Sequence, residues 1–183
     1  MLRQATQSLL TAILLSLATV PATAADVAPA TEVIKGKSVA LDVDATKKLN
    51  IFFSNFSEAY LKPFEAGKLT DDALIEFGIK HNLINYPKVF HANQLAEEEV
   101  NKACKKYFGT VPKAHHAVGE YAYTNGRYTV QPASGEAFTF SQIAELTDNG
   151  DGTYNAKVND YTASSGFTGD VHGTPAIWKA AGD

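Results

Sequence analysis

The chain is predicted to adopt an α+β fold, in which about three N-terminal helices pack on a C-terminal antiparallel sheet built from two hairpins. Three observations predict it. Between residues 44 and 108 apolar residues recur at helical spacing, and from residue 117 onward they alternate instead. An Asn125-Gly126 pair flanked by tyrosines then supplies the pattern of a tight two-residue hairpin.

The chain opens on a stretch that reads as an address. Arg3 gives a positive start, Leu9 to Val20 is largely apolar, Pro21 breaks the run, and Ala22-Thr23-Ala24 offers small residues for a signal peptidase. The run is too short for a permanent span, which needs about 20 apolar residues. Residues 1–24 are therefore expected to be a signal peptide, leaving no membrane span after cleavage. Removing them takes away only Arg3, so the net charge moves from −4 to −5. An acidic chain of this kind gives no support for a nucleic-acid partner.

Residues 25–37, with Pro29 and several alanines, read as a flexible lead-in, and residues 38–183 as a single α+β domain. Val39, Leu41 and Val43 alternate and suggest a short strand. Asp44 is placed to cap a first helix whose stripe is Leu49, Phe52, Phe53, Phe56 and Tyr60, with Pro63 beyond its end. A second helix is expected from Thr70, with Asp71 and Asp72 in its first turn and Leu74, Phe77, Gly78 and His81 on its stripe. Stop signals gather from Asn82 to Pro87.

The third helix runs from about Ala96 to Phe108. Glu97, Glu98 and Glu99 begin it, Lys102, Lys105 and Lys106 close it, and Gly109 suits a left-handed cap. Its apolar stripe carries Cys104, the single cysteine. In an oxidising compartment a lone thiol is either buried or used between chains, and the stripe favours burial. One cysteine also excludes an intrachain disulfide framework.

In the sheet half, the Asn-Gly turn pairs Tyr123 with Tyr128 and Tyr121 with Val130. Tyr121, Tyr123 and Tyr128 are the candidate binding residues, since a tyrosine stripe can bind sugars or peptides; packing on the inner face of a sheet is the competing role. The second hairpin sets Phe138, Phe140, Ala144 and Leu146 on alternate positions, with Gln142 as the polar exception, against Tyr154, Ala156 and Val158. Asp148-Asn149-Gly150-Asp151-Gly152 joins them. Its glycines stand where a calcium loop needs oxygen ligands, so it reads as a turn. In the tail from Ser164 to Asp183, Ile177 and Trp178 are the expected anchors.

Catalytic and metal motifs are missing. The five histidines, His81, His91, His115, His116 and His172, show no zinc-binding spacing, and no metal or other cofactor is expected. His115 and His116, being adjacent, point to opposite faces of an extended segment. The weak metal combination is one of them with Asp170 or His172. No nucleophile elbow or phosphate-binding glycine loop occurs.

Leu49 to Glu58, Lys106-Tyr107-Phe108-Gly109, the tyrosine-rich hairpin and Ala163 to Asp170 together resemble a group of uncharacterised bacterial secreted proteins and lipoproteins, over about residues 49 to 170. That resemblance implies a bacterial cell-envelope or extracellular protein, and it carries over no catalytic residue. This chain lacks the lipidated cysteine, and members of the group continue into further strand sequence. For helices on one face of a curved sheet, a cystatin-like or NTF2-like arrangement is the nearest architecture.

Two functions are carried forward. One is an exported, periplasmic or extracellular, non-enzymatic binding protein whose partner is a protein, peptide or glycan of the cell envelope. The other is a small exported hydrolase with a site around His115 and His116, which requires a pocket holding one of them beside carboxylates.

Overall fold

The computed structural model describes residues 36–65, 67–131, 137–164 and 166–174, and the backbone of residues 3–12. Their order is strand β1 (Arg3–Ala12), β2 (Lys37–Ser38), helix α1 (Val43–Glu58), α2 (Asp71–Asn85), β3 (Gln94–Ala96), α3 (Glu97–Phe108), β4 (Ala122–Thr124), β5 (Arg127–Thr129), β6 (Ala137–Asp148) and β7 (Tyr154–Ser164). The fold class is α+β, with the helices ahead of the main strands. Among the described residues no helix is long and apolar enough to cross a membrane. Ile177 and Trp178 lie outside the described residues.

Each helix begins and ends for a local reason. In α1 the cap is Asp42, whose Oδ1 accepts from Ala45 N at 2.7 Å. The cap thus lies two residues before the expected one at Asp44, and Val43 joins the helix instead of a strand. Only Lys37–Ser38 pairs as β2, with Val39 N adding a bond to Leu146 O. At the other end, Tyr60 N donates to Ser57 O and Leu61 N to Phe56 O, the paired bonds of a Schellman cap. Thr70 caps α2 through Ala73 N, and Gly109 closes α3 at φ +69°, both as expected.

The two hairpins belong to different sheets, where one sheet was expected. The Asn-Gly hairpin β4–β5 forms with the positive φ of a type I′ turn at Asn125 and Gly126, and Tyr123 faces Tyr128. It is completed by β3 in a three-stranded sheet ordered β3-β5-β4. The long hairpin lies in the sheet ordered β1-β7-β6-β2. Three residues at Gln94–Ala96 were enough to capture β5, because Glu97 N also bonds Gly126 O as α3 begins.

A bulge between Ile143 and Glu145 corrects a second expectation. Strict alternation would set Phe138, Phe140, Gln142, Ala144 and Leu146 on one face. The extra residue reverses the faces. Phe138 and Phe140 pack with Tyr161, Phe167 and Val171, whereas Ile143 and Leu146 join Phe53, Phe56, Phe77 and Val158 under α1.

The third buried cluster lies between α2, α3 and the small sheet, around Ile75, Ile79, Leu95, Val100, Cys104 and Tyr128. Here α2 and α3 approach closely at Gly78. A Cβ on it would sit 2.6 Å from Val100 Cγ1 and 3.1 Å from Val100 Cα, so only glycine fits.

Side chains of α1 cover one edge of the long sheet. Ser141 N donates to Ser54 Oγ at 2.9 Å and Ile143 N to Asn50 Oδ1 at 2.8 Å, standing in for a neighbouring strand. Asn50 is fully buried, and its Nδ2 donates to Gln142 Oε1 at 2.8 Å and to His172 O at 3.0 Å. One amide thereby ties helix, sheet and tail together.

Candidate functional site

Of the tyrosines and histidines singled out in the sequence, Tyr123, Tyr128 and His115 meet where α3 packs on the small sheet. Tyr128 on β5 is fully buried and Tyr121 is 7% exposed, so both rings are core. Tyr123 is half-buried, its ring lies 4.9 Å from that of Tyr128 at a tilt of 43°, and its hydroxyl donates to Glu97. That bond raises the Tyr123 pKa, and burial raises that of Tyr128. Of the three, only Tyr123 keeps a partly accessible face.

His115 and His116 diverge, as adjacent residues in an extended segment should. His115 Nδ1 lies 2.7 Å from Tyr128 Oη and its Nε2 lies 3.2 Å from Asn101 Oδ1. His116 Nε2 reaches Asp72 Oδ1 at 2.7 Å, at the start of α2. Neighbouring Asp71 accepts from Lys113 N and Ala114 N, which hold its carboxyl below the usual range. Asp170 pairs with Lys47 instead, at 2.9 Å. Among the described residues no group of three or more metal-ligating side chains forms. The Asp148–Gly152 loop spends its oxygens on itself, with Asp148 capping Gly150 N and Asp151 capping Thr153 N.

A second polar cluster lies between α1 and the long sheet. Ser141 Oγ is 2.8 Å from Ser57 Oγ and 2.7 Å from Asp160 Oδ1, beside a cavity of about 60 Å³. Burial raises the Asp160 pKa and the Ser141 bond opposes it. No histidine joins this cluster, and the base within reach of its hydroxyls is the Asp160 carboxylate.

The third cluster is formed by Glu58, Asn85 and His81. Burial pushes the Glu58 carboxyl up to about 7, against a hydrogen bond from Asn85. His81 is buried between Phe77, stacked at 5.6 Å, and Tyr107 at 4.8 Å. Burial and then the Lys106 charge push it down to about 4. Asn85 Nδ2 lies 3.3 Å from His81 Nδ1, so one amide is shared between a carboxyl that titrates near neutrality and an uncharged imidazole. Burial also pushes the Cys104 thiol up to about 12, and its Sγ donates to Leu74 O, which leaves it unreactive at neutral pH.

A wider concavity than the one beside Ser141 lies elsewhere. Between the α1–α2 connection and the first half of α2 lies a groove of about 770 Å³. Leu61, Phe64, Leu69 and Phe77 supply apolar walls, and Lys62, Lys68, Asp72 and Glu76 supply both signs of charge. Tyr60 borders it, 62% exposed and at φ +53°. That is the position of the Schellman cap where glycine is usual, and a side chain there costs about 1 kcal/mol. None of Tyr121, Tyr123, Tyr128, His115 or His116 lines the groove. Pro63 and Gly67 mark these residues in the sequence only as a connection.

The chain matches no protein-family model, no curated protein and no solved structure.

Proposed function

We propose that this protein is exported to the bacterial periplasm or cell exterior and acts there as a non-enzymatic binding protein, holding a peptide or glycan segment of an envelope partner in the α1–α2 groove. Tyr60 carries the reading. A large aromatic kept exposed in a strained backbone conformation beside this groove gains nothing for the fold, so binding is the natural reason to retain it. An aromatic face flanked by separate carboxylates and ammonium groups matches the mixed apolar and hydrogen-bonding character of sugars and peptides. The hydrolase reading has less behind it. His115 is committed to Tyr128 and Asn101, and His116 pairs with Asp72 at the surface.

The test is an NMR titration of residues 25–183 with peptidoglycan fragments and envelope-derived peptides, run beside a hydrolase substrate panel. Saturable shifts confined to residues 60–77 and weakened in Tyr60→Ala are expected. Turnover abolished by His115→Ala or His116→Ala, with no shifts in the groove, would overturn the proposal.

A further inference from the structure

The long sheet has two edges, and they are protected differently. On the β6 edge, Ser54 and Asn50 of α1 take the backbone donors of Ser141 and Ile143. Those donors point away from β7. Asp160 and Val158 stand directly opposite Ser141 and Ile143, so in an antiparallel ladder their N–H and C=O groups also point outward, to the other edge. There β1 covers them, paired antiparallel from Arg3↔Thr162 to Ala12↔Tyr154. This cover lies wholly within the segment read as a cleaved leader. The three buried clusters, by contrast, draw only on residues from Leu49 onward among the described residues.

We infer that, once residues 1–24 are removed, β7 pairs antiparallel with β7 of a second copy, extending the sheet across a two-fold axis. This rests on the cleavage that the export reading requires. An exposed edge of eleven residues is a template for another strand, and an antiparallel self-pair is what two-fold symmetry generates. The sequence of β7 limits the register. Centring the pair on Lys157 or Asp160 would oppose like charges. Centring it on Asn159 sets two amides face to face, and Asn159 Oδ1 is an acceptor without a hydrogen bond among the described residues. The neighbouring amide supplies the missing donor.

Sedimentation of residues 25–183 is expected to give twice the monomer mass at micromolar concentrations. Thr162→Pro removes an outward N–H without touching the β6 ladder and is expected to give a folded monomer. Added decapeptide Arg3–Ala12 is expected to split the dimer into one-to-one complexes. Asn159→Asp is expected to weaken self-association by about tenfold or more, and mixing it with Asn159→Lys to restore pairing. Should Thr162→Pro fail to fold, the peptide and the charge swap still decide. A chain that stays monomeric, captures an unrelated extended peptide instead, or forms a dimer indifferent to peptide and charge swap overturns the inference. The N-terminal mass of the exported protein reads cleavage separately, so a failed export reading is distinguishable from a failed interface.

Discussion

Replacing Asn50 by alanine should be among the most damaging single changes available outside the apolar core. The side chain is fully buried and makes three short bonds, to Ile143 N, Gln142 Oε1 and His172 O. Each such bond contributes about 1 kcal/mol net, and stranding a buried donor such as Ile143 N–H costs about 1–3 kcal/mol more. The loss should therefore be about 4–6 kcal/mol, which lowers Tm by roughly 10–20 °C in a domain of this size. Thermal and urea unfolding of residues 25–183 measure it, and amide exchange at Ile143 localises it, since that proton should lose protection. Ile51→Ala is the control: its side chain is 44% exposed, and its loss should stay near 0.5 kcal/mol. If Asn50→Ala melts within about 2 °C of the parent and the Ile143 amide stays protected, the clamp between helix, sheet and tail is not what holds them together.

Tyr60→Gly relieves the left-handed conformation and should stabilise by about 1 kcal/mol while weakening groove ligands, a trade read by parallel melting and NMR titration. Gly78→Ala should destabilise by about 1–2 kcal/mol in urea, because its Cβ would meet the Val100 backbone as well as a methyl group. Stability against pH should show two opposed contributions. Folded Glu58 keeps a proton the unfolded chain loses above its ordinary 4.5, so its contribution is lost as pH rises towards about 7; folded His81 refuses a proton the unfolded chain takes below 6.5, so its contribution is lost as pH falls towards about 4. Glu58→Gln should remove the first slope and leave urea midpoints rising between pH 4 and 6.5, and a profile identical to the parent's would refute the assignment.

What the sequence discloses depends on how far its signals reach along the chain. The α2 helix was legible in full: Thr70 caps it, Asp71 and Asp72 suit its first turn, and the stripe Leu74, Phe77 and His81 is buried. So was the Asn125-Gly126 turn, because positive φ at two successive residues is a local demand. The partition into two sheets was not legible, since it depends on β3, a strand of three residues recognised only by its pairing with β5. The bulge at Ala144 was equally hidden. An extra residue leaves composition untouched and changes only which face each later residue takes, so alternation put Leu146 beside Phe138 when the two pack into different clusters.

The same distinction explains why the tyrosine stripe drew attention and Tyr60 did not. Aromatic residues in a strand pattern are conspicuous, yet a cross-strand ladder is also the way a small sheet fills its core, and Tyr121 and Tyr128 are spent there. Tyr60 follows the stripe of α1 at helical spacing, and that spacing alone makes it one more core residue. The Schellman cap turns it out of the helix just before it would be buried, and φ +53° is visible only in the fold. Pro63 contributes indirectly: by forbidding further helix it obliges the chain to turn near this point, and the connection that follows becomes a wall of the groove. A side chain the core does not need, held in a conformation the backbone resists, is what the proposed binding role of Tyr60 accounts for and a packing role does not.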